Sequence, residues 1–137
     1  NYDNPANTFV ASFIGSPAMN LMNGEVSGGV FTAPQVRIAG LPQALSGPIT
    51  LGFRAEDAEV SSSGAGDIEA PIYAIELLGD ATMVSVRVGD ALVAAKAAKT
   101  FRAEIGDGVV FRIASAQCHL FDHATGQRVG AQSAAAH

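Results

Sequence analysis

The sequence predicts a mainly β fold, built of small barrel or OB-like modules, with one short N-terminal helix. Three observations predict it. Short apolar runs rich in Val, Ile and Phe recur along the chain, glycine-centred turns separate them, and only the first residues show a helical spacing of apolar positions. Helices alternating with strands, the pattern of a parallel α/β sheet, are not written in the chain.

Asn4-Pro5 starts the helix, because Asn accepts the free N–H groups of a first turn and Pro is preset for the first helical position. Phe9, Val10, Phe13 and Ile14 form one apolar stripe, and Gly15 with Pro17 ends the helix. The run Phe13-Ile14-Gly15-Ser16-Pro17, with Met19-Asn20 behind it, is therefore a junction between helix and sheet. A first strand covers 20–26, with Asn23-Gly24 read as a bulge inside it and not as a hairpin turn. Gly28-Gly29 makes a turn, 30–32 and 36–38 are short strands broken by Pro34, and Pro42 and Pro48 bracket a loop before a buried strand at 49–53. The Ser/Gly-rich residues 61–66 have the composition of a flexible connector. They divide the chain into a linker helix and junction (1–18), a first β module (19–60) and a second (67–132), with 133–137 a frayed tail or a leftover of cloning.

The second module opens with a long apolar strand over 68–78, ended by Gly79-Asp80. Residues 83–88 alternate cleanly, Gly89-Asp90 turns the chain into a strand over 91–95, and Gly106-Asp107-Gly108 precedes a strand over 109–113.

Composition narrows the function. A chain of 137 residues with 48% hydrophobic content can bury a core, and disorder is not expected. The 13 acidic residues outnumber 8 scattered basic ones, and a net charge of −5 disfavours nucleic acid and anionic lipid. Cys118 is the single cysteine, which excludes an internal disulfide and fits a reducing cytoplasm. No run approaches the ~18 apolar residues of a membrane span, so action at a membrane would pass through a partner.

The motifs of common catalysis are missing. No G-x-x-x-x-G-K-[ST], G-x-S-x-G or H-E-x-x-H occurs, and Cys118 has no CxxC partner. Two clusters remain. Cys118-His119-Leu120-Phe121-Asp122-His123 offers metal-type donors, but strand alternation puts Cys118 with Leu120 and His119 with Phe121, splitting the set between two faces. The bland alternative is a core strand followed by an Asx turn at Asp122, Thr125 and Gly126. Arg54, Glu56 and Asp57 follow the buried strand. They read either as a solvated helical turn with local ion pairs, each under ~1 kcal/mol, or as an interface or anion-sensing loop.

Four stretches resemble one family. Residues 2–20 are similar to the segment Y-x-x-P-A-N-x-F-V-A-x-F-I-G-S-P-x-M-N that joins the ATPase domain to the C-terminal regulatory domain in sugar-importing ABC transporter subunits, maltose and glycerol-phosphate importers among them. Leu51-Gly52-Phe53-Arg54-Ala55-Glu56-Asp57 resembles its L-G-[IF]-R-P-E-[HD], Glu76-Leu77-Leu78-Gly79 its E-x-L-G, and His119-Leu120-Phe121-Asp122 with Thr125-Gly126 its H-L-F-D-x-x-T-G. Ala55 departs from the usual Pro. The resemblance implies an OB-like regulatory domain of the TOBE type, itself without catalytic residues, cofactor or metal, ATP and Mg belonging to the missing ATPase domain. It implies a fragment of a longer, cytoplasmic subunit, peripheral on the inner face of a bacterial membrane. The implied partners are a second copy, the parent's ATPase domain, integral-membrane permease subunits and an inhibitory signalling protein, without nucleic acid and without direct membrane insertion. Phe13, Ile14, Gly15, Ser16, Pro17, Met19 and Asn20 become the interdomain junction, and Arg54, Glu56, Asp57, His119, Phe121 and Asp122 candidate regulatory or dimer contacts. An alternative is a module that captures a small, molybdate-like anion through backbone N–H groups near Ser16 or Gly79.

Overall fold

The computed structural model describes residues 19–129, and the expected helix, the junction residues Phe13 to Pro17 and the tail lie outside them. Eleven strands and two single 3-10 turns make up these residues. In chain order the strands are β1 (Asn20–Ser27), β2 (Val30–Ala33), β3 (Val36–Ile38), β4 (Gly47–Phe53), β5 (Ala58–Ser61), β6 (Ile68–Leu77), β7 (Ala81–Val88), β8 (Ala91–Ala98), β9 (Gly108–Ile113), β10 (His119–Asp122) and β11 (Arg128–Val129). The 3-10 turns are Ala55–Asp57 and Ser115–Gln117. All pairings are antiparallel, and the hydrogen-bonded path runs β11-β10-β4-β1-β2-β3-β6-β7-β8, with β9 joining β5 to β6. The mainly β class read from the sequence is the class observed, here as a curled sheet.

In β7 the pattern alternates, Val84, Val86 and Val88 facing inward while Arg87 faces out, whereas β4 is buried on both faces from Ile49 to Phe53. Phe31, Phe53, Phe111, Met22, Ile38, Leu51, Ile68 and Leu120 are almost wholly excluded from water. With Val84 and Val86 of β7 and Val93 and Ala95 of β8 they form one continuous core, to which both halves of the chain contribute. Each such side chain contributes about 1.5–3 kcal/mol by leaving water.

Strand β6 bends the sheet. Its first part pairs with β9 up to Pro71, and from Ile72 it pairs with β7 through a register shift between Ile72 and Ala74. Pro71 has no N–H for a further ladder bond, and the extra residue at Tyr73 adds local twist. The connector at 61–66 leads into a fixed point. Asp67 donates its N–H to the Phe111 carbonyl and accepts at its own carbonyl from Arg37, and its carboxylate accepts from the Ile113 N–H at 2.7 Å.

At Gly24 the expected bulge is absent. β1 pairs with β4 without interruption, Asn23 opposite Thr50 and Gly24 opposite Ile49. Gly24 serves a close approach instead, because a Cβ there would run into the Thr32 carbonyl oxygen and the Phe31 ring. The Pro34 break is a tight β2–β3 turn whose next residue, Gln35, has a φ of 69°, the left-handed value that the third position of a type II turn requires.

One side chain closes the sheet path. Strand β8 ends the path, and Asn20 at the start of β1 reaches it: its Nδ2 donates to the Ala94 carbonyl at 2.8 Å and its Oδ1 accepts from the Ala94 N–H at 2.9 Å. The carboxamide takes the place of a neighbouring peptide unit.

Two stability outcomes are expected. Asn20→Ala leaves both Ala94 groups unpaired in a half-buried setting and lowers unfolding stability by about 1–3 kcal/mol, read as a lower urea midpoint. Gly24→Ala forces the β2 backbone to move and lowers stability by about 1–3 kcal/mol in the same assay. A midpoint unchanged in either variant contradicts the corresponding contact.

Candidate functional site

Three of the four family-like stretches meet on one outer face. The β1–β4–β10 register sets Leu21 and Gly52 beside His119, and in the next row Asn23, Thr50 and Phe121, with Arg128 of β11 opposite Phe121. Gly52 keeps this face flat, since a Cβ there would collide with Met19 Sδ and the Leu21 side chain. Met19 and Asn20 thus divide their work. The first covers the outer face of β4, and the second bonds the edge of β8.

The expected solvated turn after β4 is the 3-10 turn Ala55–Asp57, entered from an extended Arg54 and closed by the Asp57 N–H on the Arg54 carbonyl at 2.9 Å. Its guanidinium, however, turns to β10 and not to the neighbouring carboxylates: Arg54 Nη1 stands 3.4 Å from His119 Nε2. On the other side of the same ring, Arg128 Nη1 is 2.8 Å from His119 Nδ1. Arg128 is steadied by lying over the Phe121 ring, 5.0 Å from its centroid. Arg54, His119 and Phe121 therefore come together with Asp57 close enough to act on the ring electrostatically.

Asp122 serves a different purpose. Its Oδ1 accepts from the Ala124 and Thr125 N–H groups at 2.9 and 3.0 Å, and the Gly126 N–H bonds its carbonyl at 2.7 Å. This is the Asx turn read from the sequence. His123 turns toward Thr50, its Nδ1 3.4 Å from Thr50 Oγ1, which donates to Asn23 Oδ1 at 2.7 Å. Cys118 faces the interior with its Sγ 3.6 Å from the Ala114 carbonyl. Burial, and less strongly the charge of Asp67, push its thiol pKa up to about 12. The Cys118–His123 cluster is thus divided between core, outer face and turn, and its donors do not converge.

Sequence reasoning missed Arg128. A signal was present: the Asx turn at Asp122 with Gly126 fixes a hairpin in which Phe121 must pair with Arg128, as it does. Glu76 to Gly79 sit at the far end of β6, away from this face, with Leu77 and Leu78 exposed.

Burial first, then the positive charges of Arg128 and Arg54, lower the His119 pKa from its usual 6.5, against a smaller opposing effect of Asp57. The folded state therefore binds fewer protons at His119 than the unfolded chain does. Its contribution to stability is complete above about pH 6.5 and is lost as pH falls from there toward the folded-state value. A proton NMR titration should find the His119 midpoint below that of an unfolded peptide, and Arg128→Leu should raise it. A midpoint at or above the peptide value contradicts the arrangement.

Comparison with known proteins bears on the fold and the family. The model of the MalK OB fold domain matches residues 15–58 and that of the TOBE domain residues 62–120. An sn-glycerol-3-phosphate import ATP-binding protein, UgpC, of Salmonella typhi is 37% identical over 134 residues. An uncharacterized ABC transporter ATP-binding protein, YcjV, of Escherichia coli O157:H7 is 34% identical over 133. The matches cover 93% and 90% of this chain, which spans 38% and 37% of those relatives' lengths. Among solved structures, the cytoplasmic molybdate-binding protein ModG shares the fold, with a TM-score of 0.57 at 8% identity, over 78% of this chain and 96% of that one. With a MalK-type OB fold domain followed by a TOBE domain, the chain belongs with the OB–TOBE regions of ABC transporter ATP-binding proteins.

Proposed function

We propose that this chain is the regulatory and dimerisation region of an ABC importer ATP-binding subunit for a sugar, polyol or related solute, and performs no chemistry of its own. The observation that carries the reading is the double match, OB fold then TOBE, in a chain 37% identical to an importer ATP-binding protein over nearly all its length. ATP and Mg would be held by the parent's ATPase domain, and the subunit would work on the cytoplasmic side with permease subunits in the membrane. No helix among the described residues is long and apolar enough to cross a membrane.

The face built by Arg54, Glu56, Asp57, His119 and Phe121 is the proposed contact. It lies at the end of a rigid core strand and presents both charge signs within a few residues, as a self-complementary surface needs. Regulation would act by population shift. A contact stronger in one arrangement of the paired subunits biases the ATPase cycle by the difference in its strength, and by no more. A second reading, capture of a molybdate-like anion, draws support from the fold shared with ModG. The importer-type relatives favour the first.

In the full-length subunit, joint replacement of Arg54, Glu56 and Asp57 by Ala is expected to weaken self-association by about tenfold, seen in sedimentation, and to change ATPase regulation. Unchanged association and regulation would remove this face from the mechanism. Titration calorimetry with molybdate should register no heat, and a saturable heat would move the second reading to first place.

A further inference from the structure

Strand β6 leaves part of one edge unpaired. Its first part lies between β3 and β9, and Ile72 is still tied to the loop before β9, donating its N–H to the Asp107 carbonyl and accepting from the Gly106 N–H, both at 2.9 Å. From Ala74 to Leu77 its only partner among the described residues is β7. The turn between these two strands fixes which groups are left over. Leu78 donates to the Ala81 carbonyl at 2.9 Å, so alternation turns the backbone groups of Glu76 and Ala74 toward β7 and those of Ile75 and Leu77 away from it. Such an edge is a template for another strand, and proteins guard it with Lys, Pro or a covering group. On the far side of β7, β8 carries Lys96 and is bonded at Ala94 by Asn20. The run Tyr73-Ala74-Ile75-Glu76-Leu77 has neither Lys nor Pro, and no side chain among the described residues bonds its backbone. Exposed apolar surface collects here too. Of the five large apolar side chains exposed among the described residues, Tyr73, Leu77 and Leu78 lie on or beside this edge, and Ile105 adjoins Gly106, which is bonded to Ile72.

We propose that this edge pairs with the same edge of a second copy, antiparallel about a two-fold axis at Ile75, so that the two β6 strands carry one sheet across the pair. A two-fold contact must be self-complementary, and register decides whether it is. Because the free backbone groups belong to Ile75 and Leu77, the axis can pass at Ile75, Glu76 or Leu77. An axis at Glu76 sets two carboxylates directly opposite each other, which is destabilising. One at Leu77 sets Ile75 against Gly79, where the strand has already ended. The axis at Ile75 sets Ile75 against its own counterpart, Ala74 against Glu76 of the second copy, and Tyr73 against Leu77 of the second copy, with no like charges opposed. One position further, Leu78 of the second copy reaches Ile72, beside the Gly106 bond and its neighbour Ile105. Apolar groups exposed in one chain are thus covered in the pair. The pairing is independent of the Arg54 face and of the importer reading, because it rests on β6 alone.

The test is sedimentation of the whole chain over micromolar to millimolar concentrations, with amide hydrogen exchange followed by NMR at the same concentrations. Expected are a monomer–dimer equilibrium with a dissociation constant on the order of 100 µM, in the weak range of a small interface, and protection of the Ile75 and Leu77 amides that rises in step with the dimer. Leu77→Lys places a charge on each side of the axis and should weaken association about tenfold or more. Glu76→Gln should change it by less than about threefold, since Glu76 faces Ala74 in this register. Both residues are exposed, and circular dichroism checks that the variants remain folded. A chain that stays monomeric at millimolar concentration overturns the proposal, as does a dimer in which the Ile75 and Leu77 amides exchange as fast as in the monomer. A large strengthening by Glu76→Gln would show carboxylates opposed and overturn the axis at Ile75. Association lost on replacing Arg54, Glu56 and Asp57 but untouched by Leu77→Lys overturns the β6 pairing and leaves the Arg54 face standing.

Discussion

The Asn20–Ala94 pair is the constraint on which the rest of the structure depends. A nine-strand path of antiparallel pairs must end somewhere, and an end strand exposes a row of unpaired N–H and C=O groups. Here β8 is that end, and its central residue is bonded on both groups by a side chain 74 positions earlier in the chain. The bond does more than blunt an edge. It fixes the start of β1 against β8, and β8 also packs on β5 and on the 3-10 turn Ala55–Asp57. The turn that carries Arg54 to Asp57 is thereby held from two directions, by the strand it follows and by the edge strand that Asn20 secures. A small β domain with one core has little hydrophobic excess to spend on holding loops. Tying the edge with a carboxamide lets the same strand serve as support for a surface.

Much of this arrangement was legible in the sequence, for reasons that differ between elements. The strands around Ile49 to Phe53, Ile68 to Leu77 and Val109 to Ile113 could be read because an apolar run bounded by Gly or Pro leaves few alternatives. The Asx turn at Asp122 was readable because its bonds are local and need no tertiary partner. What local signals could not supply was long-range. Gly24 looks like a bulge from its dipeptide, but its reason is the Phe31 ring laid across it, a contact set by the β1–β2 hairpin. Likewise the charges at Glu56 and Asp57 suggest a local partner for Arg54, whereas the side chain goes to His119, 65 residues away. The register that brings β10 beside β4 decides that, and register is a property of two strands.

The candidate site follows the same division. Arg54, His119 and Phe121 were singled out from family-like stretches, and strand pairing unites them. Asp122 was singled out with them and belongs to the turn instead, where its carboxylate is occupied by two backbone N–H groups. The turn nonetheless matters to the face, because its length alone sets which residue of β11 falls opposite Phe121. One residue more or fewer in that hairpin would bring Gln127 or Val129 to the position of Arg128, and the cation over the Phe121 ring would be gone.

A site so built is supported from within the domain, and that bears on how it could regulate anything. Met19 and Leu21 cover Gly52, Phe121 supports Arg128, and the core strand β4 runs straight into Arg54. None of these supports depends on a partner. A surface supported in this way has its contact groups placed before a partner arrives. It can only meet, or fail to meet, what is brought to it. Any coupling through this face therefore resides in the relative placement of the bodies it joins, and its strength is capped by the number of donors that gain an oxygen in one placement and lose it in the other. Arg54 is the group with most to gain, since its guanidinium stands 3.4 Å from His119 Nε2, beyond the 2.8 Å at which Arg128 meets Nδ1.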